Sequence, residues 1–314
     1  MQDDHQGDIE PSARYLIFNM KNKDLYLPYI IMAALCIIAL FCGRCFDLNI
    51  ARSVYSENLM PAVIISVVGL YLYYGSLAFF LGVLCRQLIN ATKKPICTVL
   101  LLILYSCFAF STSIYFAVAL CSDSVCGFIL PGSIPRYVIT GLILLFPLFP
   151  IGMLKNGRRC DRKVIRDLMI LLTVMTVAVI VSNITKRSVM RPRYRITLQG
   201  FDGLGFVPVF SRLKDGKDLI AKYGLVSDDI ASFFSGHAMN AIMGIIIYPA
   251  YAYVFESLKW KERFLSYAAV IITIPIAFSR IVLGDHYLSD VATGALVGLS
   301  FCLITCHHLR YMRK

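Results

Sequence analysis

Eight long apolar runs divide this sequence and limit the folds that it can adopt. Hydrophobic residues make up 58% of the 314 residues, and charged residues make up 16%. A run of about 20 apolar residues can cross a bilayer as an α-helix, whose backbone groups bond to each other in the absence of water. The sequence therefore predicts an all-α, polytopic transmembrane helix bundle of about eight spans. The predicted spans are 27–43, 61–84, 95–119, 137–154, 168–185, 238–255, 264–284 and 288–307.

The positive charges between the runs predict which loops share a side of the membrane. Cytoplasmic loops of membrane proteins carry an excess of Lys and Arg. The loop 155–166 contains Arg158, Arg159 and Arg162, and we therefore assign it to the cytoplasm. Alternation of the spans then places both termini inside and the long connection 186–236 outside, with the lipid bilayer as an expected partner.

This topology divides the chain into four regions. Residues 1–26 are predicted to form a cytoplasmic N-terminal arm, and residues 308–314 a basic cytoplasmic tail. Residues 27–163 hold four N-terminal transmembrane helices, and residues 164–307 hold four more together with the extracytoplasmic loop. The net charge of +12 does not indicate a nucleic-acid partner, because the positive residues lie mostly between the apolar runs and no nucleic-acid-binding motif accompanies them.

The eleven cysteines do not form the framework of a disulfide-rich domain. Most lie inside apolar runs, where free cysteine behaves as a small buried residue. Cys121 and Cys126 share a short polar loop, so a disulfide between these two is left open. Neither the single Cys-x-x-Cys pair, Cys42 and Cys45 within the first apolar region, nor any grouping of Cys and His suggests zinc, and we therefore predict no metal site.

A stretch near the C-terminus combines three residues that are useful for phosphate chemistry. Arg280 ends an apolar run, His286 follows six positions later, and Asp290 lies four positions beyond it. If a helix begins near His286, Asp290 lies on the same face and can orient the imidazole, whose other nitrogen is then free to act as a nucleophile. A guanidinium group suits bidentate phosphate binding. The alternative is that these are ordinary helix-end residues, with an arginine that reaches the lipid surface and a histidine that caps a helix.

Two further stretches are expected at the same membrane face. The segment 186–195 contains five cations, which we interpret either as an anion site or as contacts to lipid headgroups. Ser235, Gly236 and His237 come just before the sixth span, where a hydroxyl and free backbone amides can bind phosphate and an imidazole can donate a proton. The alternative for this triplet is an ordinary helix start. Because the spans alternate, all three stretches meet at one face of the membrane.

These stretches resemble the three motifs of the type 2 phosphatidic acid phosphatase and vanadium haloperoxidase superfamily. The third motif, Ser-Arg, five residues, His, three residues, Asp, matches in every fixed position from Ser279 to Asp290. The second, Pro-Ser-Gly-His, matches except that Phe234 replaces the proline. The first, Lys, six residues, Arg-Pro, matches except that Tyr194 replaces the proline. The resemblance covers about residues 164–307, and implies that this region is a phosphatase core.

The resemblance implies an integral-membrane hydrolase that acts on a lipid phosphate monoester or diphosphate without a metal or another cofactor. His286 is the expected nucleophile that forms a phosphohistidine, Asp290 its orienting carboxylate, and His237 the general acid and base. The residues expected to hold the phosphate are Lys186, Arg193, Ser235, Gly236 and Arg280.

The substrate types expected from the family are phosphatidic acid, phosphatidylglycerol phosphate and polyprenyl diphosphate. The expected location is the plasma membrane, with the active site on its extracytoplasmic face. Two alternatives stay open: a phosphotransferase with an acceptor other than water, and an anion-binding transporter. Arg187 or Arg191 could also help to hold the phosphate, but we interpret each of them as a contact to lipid headgroups.

Overall fold

The computed structural model describes residues 22–57, 59–92, 94–122, 134–155, 160–258 and 260–311. Of the described residues 81% are helical, and no strand occurs among them. Seven helical segments are long and apolar enough to cross a membrane. The all-α, polytopic bundle predicted from the apolar runs is therefore confirmed.

Twelve α-helices follow one another in the described part of the chain. The first six are α1 (Asn22–Val54), α2 (Met60–Ala91), α3 (Pro95–Ser122), α4 (Ile134–Leu144), α5 (Leu148–Lys155) and α6 (Arg162–Val189). The others are α7 (Tyr194–Thr197), α8 (Gly216–Tyr223), α9 (Gly236–Ile242), α10 (Gly244–Ala250), α11 (Glu262–Val282) and α12 (Leu288–Tyr311). The helices α4 and α5 form one crossing that is interrupted at Pro147, because proline removes a backbone donor from the helix.

The sixth predicted span, 238–255, is a broken crossing and not one continuous helix. It consists of α9, α10 and a short 3-10 helix, Tyr251–Tyr253. At one end Gly236 lies against Ser182 near the end of α6, and at the other the Tyr253 hydroxyl donates to Asp167 near the start of α6, at 2.7 Å. The broken segment therefore runs alongside α6 from Ser182 to Asp167. Gly244 and Pro249 lower the helical stability of this stretch, which explains why it is interrupted.

The first helix extends beyond the predicted span 27–43 at both ends. Helix α1 continues to Val54 and carries Asp47, which is 3% exposed. A lone carboxylate is costly inside a bilayer. In the structure Arg191 pairs with that carboxylate, so the helix continues through it.

Helix α2 occupies the centre of the bundle and contacts α3, α5, α6, α9 and α11. In its most apolar stretch 67% of the residues are buried, compared with 11% in α3. Its contact with α5 depends on two glycines. A Cβ atom on Gly82 would overlap the main-chain carbonyl of Phe149, and one on Gly152 would overlap that of Phe79. Small residues of this kind allow helix backbones to approach closely in a membrane.

The connection between α6 and α9 forms a compact cap at one end of the bundle. Four buried apolar residues of this connection form a cluster of their own, and they are Met190, Ile196, Leu204 and Ile230. The cap is tied to the bundle by main-chain hydrogen bonds, among them one from Arg195 to Gly284 at 3.2 Å. The cap therefore has its own small core, and it holds the basic segment 186–195 against the turn between α11 and α12.

Several sequence predictions concern residues outside the described ranges. They include most of the N-terminal arm 1–26, the end of the C-terminal tail, and Arg158 and Arg159 in the basic loop. The possible disulfide of Cys121 and Cys126 also lies outside them, because Cys126 falls within 123–133.

Candidate active site

A cavity of about 630 Å³ lies among α2, α3, α6, α9 and the end of α11. Ser235 and Asp290 are fully buried and are not among the residues that line it. The other six predicted site residues all line the cavity, and they are Lys186, Arg193, Gly236, His237, Arg280 and His286. The fold thus joins the three stretches that we placed at one membrane face.

A tight turn between α11 and α12 carries the candidate nucleophile. Gly284 has a positive φ of 68°, and a Cβ atom there would come 2.6 Å from the Tyr55 ring, so this position favours glycine. The backbone N–H groups of Asp285 and His286 both donate to the carbonyl of Arg280, each at 3.1 Å. The turn therefore folds back on the end of α11 and holds Arg280 and His286 beside the same cavity.

Asp290 lies one helical turn beyond His286, as the spacing predicts. Its Oδ2 is 4.0 Å from Nδ1 of His286, and neither ring nitrogen has a hydrogen-bond partner within the described part of the chain. The carboxylate instead accepts hydrogen bonds from the Ser232 hydroxyl at 2.5 Å, from the Tyr287 backbone N–H at 3.0 Å and from Arg191 at 2.5 Å. Asp290 is thus held rigidly near Nδ1, on the side of the ring away from Nε2.

The surroundings of His286 favour a neutral imidazole. The residue is fully buried, and burial is the main cause that lowers its pKa well below the ordinary value of 6.5. The positive charges of Lys186, Arg193 and Arg280 lower this pKa further. A neutral ring keeps a lone pair on one nitrogen, which a nucleophile requires.

Asp285 joins the arginine side chains at the same end of the cavity. Its Oδ1 accepts hydrogen bonds from Arg193 at 2.5 Å and from Arg195 at 2.7 Å. Its Oδ2 lies 2.7 Å from Nη2 of Arg280. Burial alone would raise the pKa of Asp285, but the charges of these arginines lower it below its ordinary range. Asp285 is therefore ionised and positions the guanidinium groups.

His237 lies in the first turn of α9 and lines the cavity. Its Nε2 is 3.3 Å from the hydroxyl oxygen of Ser66 on α2, and this hydroxyl also accepts a hydrogen bond from Arg280 at 2.5 Å. The hydroxyl of Ser235, a predicted phosphate ligand, accepts from the backbone N–H of Ala238 at 3.4 Å and so caps α9. Gly236 lines the cavity in the first position of this helix.

Our interpretation of Arg191 as a headgroup contact is wrong. The side chain is fully buried. It pairs with Asp47 at 2.9 Å and with Asp290 at 2.5 Å, and its guanidinium lies 4.2 Å from the centre of the Tyr287 ring. An arginine flanked by two carboxylates and an aromatic ring is satisfied without lipid phosphate. Arg191 thus joins the first helix to the carboxylate near the nucleophile.

Sequence reasoning missed Asp47, Ser66 and Asp285 as parts of the site. Asp285 stands directly before His286 but has no place among the fixed motif positions. Asp47 and Ser66 lie on α1 and α2, far from the motifs in the chain. An ionisable residue next to an apolar run is a signal for Asp47, because such residues are rare in membrane helices and usually pair within the bundle.

Comparisons with known proteins agree with the motif positions. Residues 167–314 match the family model described as the PAP2 superfamily. Phosphatidylglycerophosphatase B from Bacillus subtilis (strain 168) is 34% identical over 79 residues. That alignment covers 24% of this chain and 37% of the relative, so the chain spans well under half of the relative's length. No solved structure matches the chain.

Proposed function

We propose that the protein is a membrane-bound phosphatase, because residues 167–314 match the family model of the PAP2 superfamily. Its proposed substrate is a lipid phosphate monoester or diphosphate. The observation that carries the proposal is that the two histidines and three of the cations from the motif stretches line one cavity, together with residues of the apolar helices α2, α3 and α6. These five residues are His237, His286, Lys186, Arg193 and Arg280.

In the proposed first step, Nε2 of His286 attacks phosphorus in line with the bond to the lipid oxygen. The N–P bond forms while the P–O bond breaks, and His237 gives a proton to the departing oxygen. The neutral state of His286 supports this role. Asp290 lies near Nδ1 and stabilises the positive charge that the ring acquires.

In the second step, a water molecule attacks phosphorus while His237 accepts its proton. The N–P bond breaks, inorganic phosphate leaves, and His286 returns to its neutral form. Both steps pass through a transition state with negative charge on three phosphoryl oxygens. Lys186, Arg193 and Arg280 would hold these oxygens with the Gly236 amide, and Ser235 would order that amide through its helix cap. No step in this sequence requires a metal or another cofactor.

We further propose that the cavity end of the bundle faces away from the cytoplasm, at the plasma membrane. The support is the cations Arg162, Lys163 and Arg166 at the start of α6, which is the end of that helix opposite the cavity. Cysteine substitutions at Asp215 in the cap and at Lys155 test this orientation, since both residues are exposed. In intact cells an impermeant thiol reagent should add label to Asp215→Cys and not to Lys155→Cys, relative to the unmodified chain. The reverse pattern would contradict the orientation.

Phosphate release from a panel of substrates tests the proposed activity. The panel is phosphatidic acid, phosphatidylglycerol phosphate, polyprenyl diphosphate, a sphingoid phosphate and a soluble sugar phosphate. We expect release from at least one lipid, insensitivity to chelators, and inhibition by vanadate, which mimics the five-coordinate phosphorus. Activity lost in chelator and restored by magnesium would contradict the metal-independent mechanism. Transfer of phosphate to an acceptor without release would contradict hydrolysis.

A further inference from the structure

A second polar cluster lies in the cavity beyond the groups that the proposed mechanism uses. It consists of Tyr74 on α2, Tyr115 on α3, Asn183 on α6 and Asn240 on α9, and we call it the amide cluster. Each of these side chains lines the cavity, and each belongs to a different helix. Polar groups are costly inside a membrane bundle, where apolar residues would pack equally well. The mechanism gives none of the four a role.

The position of the amide cluster follows from helix geometry. Asn183 precedes Lys186 by three residues on α6, and Asn240 follows His237 by three residues on α9. Three residues correspond to a rise of about 4.5 Å and to nearly the same helix face. Both amides therefore lie about one helical turn deeper in the bundle than the residues proposed to act on phosphate.

The cluster is partly satisfied by its own members. The Asn183 side-chain amide donates a hydrogen bond to the Tyr115 hydroxyl at 2.8 Å. Tyr74 interacts through its hydroxyl with Asn240 and with Tyr115, and the rings of these two tyrosines are 5.6 Å apart. The phenol groups thus hold the two amides in place.

One atom of the cluster has no hydrogen-bond partner. Asn240 is 5% exposed, and within the described part of the chain nothing donates to its Oδ1. A buried carbonyl oxygen without a donor destabilises the folded protein. The residue lines the cavity, so a molecule bound there is the nearest source of a donor for this oxygen, which a small turn of the side-chain amide would present to it. An apolar ligand would leave it unsatisfied.

We propose that the amide cluster is a second binding subsite, which accepts a hydrogen bond from a hydroxyl or amide N–H of the substrate lipid. This inference rests on the proposed function, since phosphate bound at His286 places the next few atoms of the lipid beside the cluster. The substrate class is then a lipid phosphate with a free donor close to its phosphoester, of the glycerol or sphingoid type. Polyprenyl phosphates have no such donor and are disfavoured.

A matched pair of substrates tests the subsite directly. We use 1-oleoyl-glycerol 3-phosphate, which has a free 2-hydroxyl, and its 2-deoxy analogue, which has hydrogen in that place. The wild-type protein in detergent micelles should show a kcat/KM about tenfold higher for the hydroxyl substrate, since the analogue leaves a buried acceptor unpaired. Equal values for the pair, or faster hydrolysis of the analogue, would overturn the subsite.

Variants then assign the preference to the cluster. Asn240→Leu removes the acceptor and should bring the ratio of the two kcat/KM values close to one. Tyr115→Phe removes the hydroxyl bonded to Asn183 and should lower the ratio in part. Tyr71→Phe is the matched control, because Tyr71 packs against Phe116 one turn before Tyr74 and is not among the residues that line the cavity. A full preference in Asn240→Leu would contradict the assignment.

The design separates failure of the subsite from failure of the proposed function. If both substrates are hydrolysed at the same rate, the phosphatase proposal stands and the subsite falls. If the wild-type protein hydrolyses neither member of the pair nor any lipid of the panel, the proposed function falls and the subsite falls with it. If only polyprenyl diphosphate is hydrolysed, the phosphatase proposal stands and the proposed substrate class is wrong.

Discussion

The C-terminal region and the N-terminal helices contribute to the same site in different ways. Residues 167–314 carry the family match and every residue that we assign to a step at phosphorus. Helices α1 and α2 lie outside that match, yet Asp47 pairs with Arg191 and Ser66 contacts both His237 and Arg280. The two regions differ in how directly their side chains would contact the substrate. The C-terminal region supplies the groups that would touch phosphate, and the N-terminal helices supply the groups that hold them.

This comparison teaches where to search for the supporting residues of a membrane site. Motifs identify reacting groups because the chemistry demands particular residue types at particular spacings. Supporting groups need only a hydroxyl or a charge at the right place, and many sequence positions can provide one. A lone polar residue on a neighbouring helix is therefore a better indicator than a motif.

The largest effects are expected from substitution of the two histidines, which tests whether the C-terminal region supplies the reacting groups. His286→Ala should abolish both phosphate release and the acid-labile phosphoenzyme, because the nucleophile is gone. His237→Ala should lower turnover by about 10²–10⁴-fold. The loss of turnover in His237→Ala should be smaller with an aryl phosphate, because its leaving group needs little protonation. Acid-quench trapping with labelled substrate measures both effects. A phosphoenzyme in His286→Ala but not in His237→Ala would reverse the two roles.

The next largest effect tests whether α1 is needed by a site that lies elsewhere in the chain. Asp47→Ala leaves Arg191 buried with a single carboxylate, and loss of one partner from a buried ion network costs roughly 3–5 kcal/mol. We expect a clear drop in thermal unfolding temperature in detergent, together with a loss of turnover.

A matched variant on the same helix is Asn49→Ala, which truncates an exposed polar side chain two positions away. Its unfolding temperature and turnover should stay close to those of the wild-type protein. If Asp47→Ala behaves like Asn49→Ala, the contribution of α1 to the site is refuted.

A smaller effect is expected from Ser66 on α2, which positions His237 and Arg280. Ser66→Ala removes a hydrogen bond to a charged group and should lower kcat/KM by about tenfold. Ser66→Thr keeps the hydroxyl and should restore most of the loss. A structural defect would instead appear as equal loss in both variants, accompanied by a lower unfolding temperature.

The smallest effect concerns pH. Because burial and nearby cations lower the pKa of His286 well below 6.5, the nucleophile stays neutral as the pH falls to that value. We expect kcat/KM, divided by the dianionic fraction of the substrate, to change less than about twofold between roughly pH 8 and 6.5. An unfolded chain protonates this histidine near its ordinary pKa, so the free energy of unfolding should decrease as the pH drops below about 6.5. A drop in the corrected kcat/KM centred at pH 6.5 would contradict a lowered pKa.

Much of the fold could be predicted from the sequence, because bilayer crossing imposes a length and an apolar composition on each helix. This rule located the seven long apolar helices of the described chain. It did not predict that the segment 238–255 is broken into shorter helices. A break of this kind depends on how Gly244 packs against Ala269, and on where the chain tolerates Pro249. Such packing is a property of neighbouring helices, which a single sequence does not display.

The candidate site was predictable as far as its motifs extend. Spacing placed Arg280, His286 and Asp290 together, and the alternation of spans brought His237 to the same end. The hydrogen-bond partners of Asp290 and Ser235 were not predictable. Asp290 accepts from Arg191 and Ser232, and Ser235 caps its own helix. These pairings are set by competition among nearby donors, and the competition is decided only after the helices have packed.

The Asp47–Arg191–Asp290 network also constrains how the protein is made. Its three members lie on α1, on the segment after α6 and on α12, so helices that are about 240 residues apart in the chain must meet to complete it. Until α12 is inserted, Arg191 lacks the Asp290 carboxylate, and the turn with His286 has no helix to anchor it. Synthesis of residues 167–314 alone should therefore yield a domain with its family motifs intact and an arginine that lacks Asp47. The network that supports the site can therefore close only after α12 has been inserted beside α1.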